Sequence, residues 1–139
     1  MRNSTLIGVI LVLSILTTGS LSFNLQAQNS NLIQLEADHM VYEGNKIIVE
    51  KNVKIKQGKY NIKAPYAEIF REENRALLEK KVEVLYDRGQ VNSQNMEAFF
   101  KEDRFVFKKE VLLNHSLENE KKFVLESSYL EMFSQNNSF

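Results

Sequence analysis

His39 and His115 are the only two imidazoles in the chain, and they lie far apart in the sequence. Asp38 directly precedes His39, a pairing that in another setting supplies a general base or part of a metal site. Here no third ligand and no nucleophile stands at a spacing that completes either one. The chain has no Cys, which removes thiolate zinc sites, Cys nucleophiles and disulfides together. Its five Gly are unclustered, so no phosphate-cradling loop is present, and neither G-x-S-x-G nor H-E-x-x-H occurs. Both histidines therefore read as surface residues, and no catalytic residue, metal ligand or cofactor is expected. The sharpest polar feature is a column of lysines, Lys51, Lys80 and Lys109, at a constant interval of 29 residues. Ammonium groups held together suit an anion, but Glu50 and Glu79 stand beside two of them, and a solvated corner with weak surface pairs is the simpler reading. Phe99, Phe100, Phe105 and Phe107 have the faces to stack on a ligand. Aromatics that alternate along a strand more commonly pack a core.

The elements that must position these groups fall into two unequal parts. Of 139 residues, 43% are hydrophobic and 26% charged, which suits one globular domain. Eighteen basic residues balance eighteen acidic ones, which argues against a nucleic-acid binder held by phosphate contacts. Residues 1–27, however, carry a single charge, Arg2. Arg2 is followed by the apolar run 6–16, LIGVILVLSIL, and then by small and polar residues, the pattern of a secretory signal peptide with cleavage after Ser22 or Ala27. An uncleaved membrane anchor is the alternative, because residues 6–25 approach the length that spans a bilayer. No Cys follows the run, so an acylated lipoprotein anchor is not available. Residues 28–139 form the expected domain, on the far side of a membrane from the cytoplasm.

That domain repeats. Residues 45–55 read NKIIVEKNVKI, 74–84 read NRALLEKKVEV and 103–113 read DRFVFKKEVLL, each offset from the last by 29. The columns Ile47/Ala76/Phe105, Val49/Leu78/Phe107, Val53/Val82/Val111 and Ile55/Val84/Leu113 are apolar in every copy. Before each copy stands a second unit: Leu35-Glu36-Ala37 with Met40 and Tyr42, Ile62-Lys63-Ala64 with Ala67 and Ile69, and Val91-Asn92-Ser93 with Met96 and Ala98. Leu125-Glu126-Ser127 with Leu130 and Met132 begins a fourth. Period-2 spacing marks strands with one buried face, so each repeat is a hairpin. The step of three from Ala37 to Met40 demands a bulge, and Pro65 falls at the equivalent step, where a missing N–H is tolerated. Residues 68–85 are rich in helix formers, but their alignment with β-branched copies assigns them to strand. The polar stretch 114–122 reads as a loop.

A secreted chain of hairpins carrying Leu35-Glu36-Ala37-Asp38-His39-Met40-Val41-Tyr42, then Val49-Glu50-Lys51-Asn52-Val53-Lys54-Ile55 and Gln57-Gly58, with weaker copies over 62–84 and 91–113, resembles the LptA/OstA family of periplasmic lipopolysaccharide-transport proteins. The resemblance runs from about residue 33 to 133. It implies an all-β fold, an open twisted β-jelly roll of long antiparallel strands built from hairpin repeats. One departure is that Lys51, Lys80 and Lys109 stand where the family's Glu-Gly-Asn-Val corner has Gly, leaving the conformation of that corner in question. The chain is also shorter than typical members. The membrane-anchored LptC-like family shares the architecture and is the nearest alternative.

The resemblance implies a non-enzymatic carrier or bridge component that takes lipopolysaccharide, or a related acylated lipid, to the outer membrane with its acyl chains in an apolar groove. An assembly or adaptor protein with a dry interior and no lipid cargo is the alternative of a different class. The expected groove face comprises Ala37, Met40, Tyr42, Ile47, Val49, Val53, Ile55, Ile62, Ala64, Ala67, Ile69, Leu78, Val82, Val84, Phe105, Phe107, Val111 and Leu113. By the same resemblance Lys51, Lys80 and Lys109 are candidates for contact with lipid phosphates. The implied partners are other β-jelly-roll components, or a second copy, added at the sheet edges formed by residues 33–42 and 123–133.

Overall fold

The computed structural model describes residues 9–10, 21–26 and 32–133, and side chains over 33–133. Its strands are β1 (Val9–Ile10), β2 (Leu21–Gln26), β3 (Leu32–Ala37), β4 (His39–Glu43), β5 (Lys46–Gln57), β6 (Tyr60–Phe70), β7 (Arg75–Tyr86), β8 (Gly89–Phe99), β9 (Arg104–Ser116) and β10 (Lys122–Phe133). A single turn of 3₁₀ helix, Phe100–Glu102, joins β8 to β9. The strands form one antiparallel sheet in the order β1-β2-β3-β5-β6-β7-β8-β9-β10, with β4 paired to β5 beyond the end of β3. The fold is the expected open β-jelly roll. Among the described residues no helix is long and apolar enough to cross a membrane. Most of the apolar run 6–16 lies outside the described residues.

A diagonal line of irregularities bends the sheet. Between Val49 and Val53 of β5 three residues intervene, whereas only Pro65 and Tyr66 intervene between their partners Ala64 and Ala67 on β6. The excess residue is absorbed by a left-handed pair, Lys51 (φ 62) and Asn52 (φ 53). The same device recurs on β7 at Lys80 (φ 67) and Lys81 (φ 76), and on β9 at Lys109 (φ 66) and Glu110 (φ 53). The register shifts at these positions run through every pairing from β5 to β10. The corner is thus built without glycine, at the steric cost that left-handed backbone imposes on an L side chain. Asp38 is the corresponding corner between β3 and β4, where its N–H donates to the Lys51 carbonyl.

The bend divides each long strand between two leaves that fold onto one another, apolar faces inward. The first leaf holds β3 and residues 53–57, 60–64, 82–86, 89–93, 111–116 and 122–127. The second holds β4 and residues 46–50, 66–70, 75–79, 95–99, 104–108 and 129–133. Alternation explains the facing: on β6, Tyr60, Ile62, Ala64, Ala67 and Ile69 are buried while Asn61, Lys63 and Pro65 are exposed. The outward faces carry charge, including cross-strand pairs such as Lys46 with Glu68 at 3.2 Å and Arg75 with Glu97 at 3.3 Å. Such surface pairs contribute about 0–1 kcal/mol each.

Residues 68–85 are strand, turn and strand, as the repeat required and against their helix propensity. Two expectations need correction. The loop after β9 is shorter than 114–122, because Asn114, His115 and Ser116 pair with Val124, Phe123 and Lys122. In the full chain residues 33–37 are not a free edge, because β2 pairs along β3 from Leu21 with Ala37 to Gln26 with Leu32; removal of residues 1–27 takes β2 away and frees them. In the full chain the sheet ends at β10 on one side and at β1 on the other, with the outer side of β4 unpaired; without residues 1–27 the edge opposite β10 is β3 followed by β4.

Candidate functional site

The interior between the leaves gathers the expected groove face into one cluster. Ala37, Met40, Ile47, Val49, Val53, Ile55, Ile62, Ala64, Ala67, Ile69, Leu78, Val82, Val84, Phe105, Phe107, Val111 and Leu113 are all buried in it. Tyr42 is the exception and is 41% exposed. It has the right parity on β4, but β4 is an edge strand paired only to β5, so no neighbouring strand covers the ring. Burial of part of that ring still raises the Tyr42 phenol pKa, with the Arg71 guanidinium acting in the opposite direction.

Several interior residues escaped the sequence reading. Ile33, Tyr60 and Tyr86 are buried, and their signal was the continuation of period-2 spacing beyond the repeat; Leu35, already in the repeated unit, is buried with them. Phe100, named among the aromatics expected to pack a core, is buried, from the 3₁₀ turn rather than from a strand. Three polar residues are buried as well, Gln57 at 2% exposure, Asp103 at 3% and Ser93 at 4%. Gln57 occupies the position after Val53 and Ile55 in the same alternation, so a polar side chain points inward where an apolar one would be expected.

Opposite the corner, the margins of the two leaves meet in a seam. Gln57 Nε2 donates to Asp103 Oδ1 at 3.2 Å across it. The Tyr60 ring meets the Phe105 ring edge to face with centroids 5.3 Å apart, and Phe105 continues to Phe107 at 6.5 Å. Tyr60 also lies 5.8 Å from Tyr86, whose hydroxyl is 2.9 Å from His115 Nδ1. Burial pushes the Tyr60 phenol up to about 12, helped by the Asp87 carboxylate. The Tyr86 phenol also rises to about 12, through burial first and then through Tyr60 and Asp87. At the seam lies a void of about 10 Å³ among Ile33, Ile69, Phe100 and Arg71. The apolar side chains of the described interior form one continuous buried cluster.

The polar candidates are not brought together. Lys51, Lys80 and Lys109 are exposed on β5, β7 and β9, alternate strands whose backbones are roughly 10 Å apart. Lys80 Nζ instead lies 5.3 Å from the centroid of the Tyr66 ring. Beside the corner, an open basin of about 630 Å³ has mixed charge, with Lys54, Lys63 and Lys81 against Glu83 and Glu110. His39 Nδ1 stands 3.4 Å from Glu50 on the surface, and Asp38 accepts from Asn52 Nδ2 at 2.7 Å, so each has a structural partner. His115 is partly exposed and stacked on Tyr86. Among the described residues no three potential metal ligands cluster.

Comparison with known proteins places this architecture. A sequence search among curated proteins finds no match. Among solved structures, the chain is similar to LptH, the LptA homologous periplasmic component of the conserved lipopolysaccharide transport device from Pseudomonas aeruginosa. That match has a TM-score of 0.61 and 12% identity, and covers 76% of this chain and 78% of LptH. The profile of the LptA/(LptD N-terminal domain) LPS transport protein family matches residues 33–137, which span the whole repeat and both leaves. The chain belongs to this family of lipopolysaccharide-transport proteins.

Proposed function

We propose that this chain is a non-enzymatic carrier or bridge component of lipopolysaccharide transport, working in the periplasm after export and shielding acyl chains between its two leaves. The observation that carries this reading is an apolar interior running the full width of a sheet that does not close into a barrel. Each acyl CH₂ moved out of water contributes about 0.8 kcal/mol, so a twelve-carbon tail represents about 10 kcal/mol that a carrier must offset during aqueous transit. A protein that only shields tails needs no reactive group. The apolar residues named above line the proposed site, and lipopolysaccharide or a related acylated lipid is its ligand.

Residues 1–27 serve in this reading as the export signal. If they are kept as an anchor, the chain works as an LptC-like component of the same route. N-terminal sequencing of the mature protein separates the two. Mass spectrometry of lipids co-purified with the exported protein tests the carrier itself, and acylated lipid at stoichiometric yield is the expected result. The closed seam between Tyr60 and Phe105 favours a second reading, an adaptor that uses its sheet edges and never opens. Absence of acyl ligands from protein purified without detergent would support that reading.

A further inference from the structure

The buried interior leaves open where a tail would enter. If the leaves separate, they do so at the corner, at the free edges or at the seam. The corner is continuous backbone in every long strand, so opening there breaks the chain's own ladders. Among the described residues the seam is joined by side-chain contacts, and its packing is imperfect. The described residues contain two buried polar side-chain atoms without a hydrogen-bond partner, Gln57 Oε1 and Arg71 Nε, and both lie at this margin. The small void beside Ile33 and Phe100 lies there too. Buried polar groups without partners disfavour the closed state, because water would satisfy them once the margin opened. The Gln57 to Asp103 hydrogen bond is the direct polar tie opposing that separation.

Resting on the carrier reading, we infer that the seam is the entrance for acyl chains and that Gln57 and Asp103 form its latch. The latch joins residues 46 positions apart, from β5 and from the turn before β9, which share no backbone ladder. Parting them exposes Tyr60, Phe105 and the interior behind them while both leaves keep their strand pairing. A tail then enters between the leaves with its headgroup left at the margin. An apolar pair at these two positions would hold the closed state more firmly. The buried polar tie keeps the leaves closed when empty and leaves the opened margin easily hydrated.

The chain has no native Cys, so a reversible tether is clean to build. The mature protein carrying Gln57→Cys and Asp103→Cys is bridged with a short bis-methanethiosulfonate linker, and uptake of cis-parinaric acid is followed by fluorescence. Bridging is expected to slow uptake at least tenfold, and dithiothreitol to restore it. A control pair bridged within one leaf, Lys56→Cys with its cross-strand partner Asn61→Cys, should take up probe at the wild-type rate. Uptake by the seam-bridged protein at the wild-type rate overturns the latch, as does equal slowing of the control. If the wild-type protein binds no probe at all, the carrier reading itself fails, a distinguishable result. Gln57→Ala provides an independent arm in a chain that needs no tether: it is expected to speed uptake severalfold, and an unchanged rate counts against the latch.

Discussion

Tyr60 on β6 and Phe105 on β9 touch edge to face, with ring centroids 5.3 Å apart, although β7 and β8 lie between their strands in the sheet. Only a sheet folded upon itself brings them together. The contact therefore measures closure of the two leaves, and the stability of the closed form rests on a small number of large side chains at the seam.

Truncating one of them shows how much. Phe105 is fully buried between Tyr60 and Phe107, so Phe105→Ala removes a ring and leaves a cavity. The expected loss is about 3–5 kcal/mol in urea unfolding. Val124→Ala, at a position 58% exposed on β10, should fall within about 0.5 kcal/mol of wild type. A small effect at Phe105 would mean that the leaves are not packed on one another in solution.

The seam also predicts the alkaline limit of the fold. Tyr60 and Tyr86 have folded pKa values raised to about 12, chiefly by burial, against an ordinary value of 10.0. Below pH 10 both phenols are neutral in the folded and unfolded chain, and their burial contributes fully. Between pH 10 and about 12 the unfolded chain loses these protons while the folded one retains them, so stability falls as pH rises. Urea midpoints measured across this window should drop less steeply for the double variant Tyr60→Phe, Tyr86→Phe. Parallel curves would assign the loss to other groups.

Much of this architecture was legible because the repeat outvoted local propensity. Residues 74–84 alone favour a helix, but their register against 45–55 and 103–113 makes them a strand. Pro65 marked the corner because only a bulge explains both a step of three and a missing N–H. Coverage was harder to read than facing. Tyr42 has the parity of Met40 but sits on an edge strand with nothing above it. The seam left almost no local trace, because Gln57 and Asp103 acquire their meaning only when the two leaves fold together. Asn114, His115 and Ser116 look like loop residues by polarity, and it is pairing with β10 that makes them strand.

The corner offers a test of backbone strain. Lys109 has φ 66 and an exposed side chain, and the neighbouring Glu110 is also left-handed. Glycine adopts this conformation without the steric clash, but it enlarges the unfolded ensemble, so the two effects partly cancel. Lys109→Gly is expected to raise stability by about 0.5 kcal/mol, and Lys109→Val, branched at Cβ, to lower it by about 1–2 kcal/mol. Thermal or urea unfolding decides the sign. A stabilising valine would show that the left-handed pair does not persist in solution.

The two free edges predict how copies join. Once residues 1–27 are removed, β10 presents Phe123, Val124, Tyr129 and Phe133 as exposed apolar groups, and the opposite edge, β3 followed by β4, presents Val41 and Tyr42. An edge of each kind on one chain allows head-to-tail strand addition, which does not close on itself and so grows with concentration. Wild-type protein should therefore show concentration-dependent oligomers in sedimentation velocity. A charge on either edge, Val41→Lys or Val124→Lys with Tyr129→Lys, should leave monomers, since each species then retains only one usable edge. Mixing the two variants restores one compatible pair of edges and should yield dimers that go no further. Wild-type protein that stays monomeric at high concentration would rule out self-addition and leave these edges to other partners.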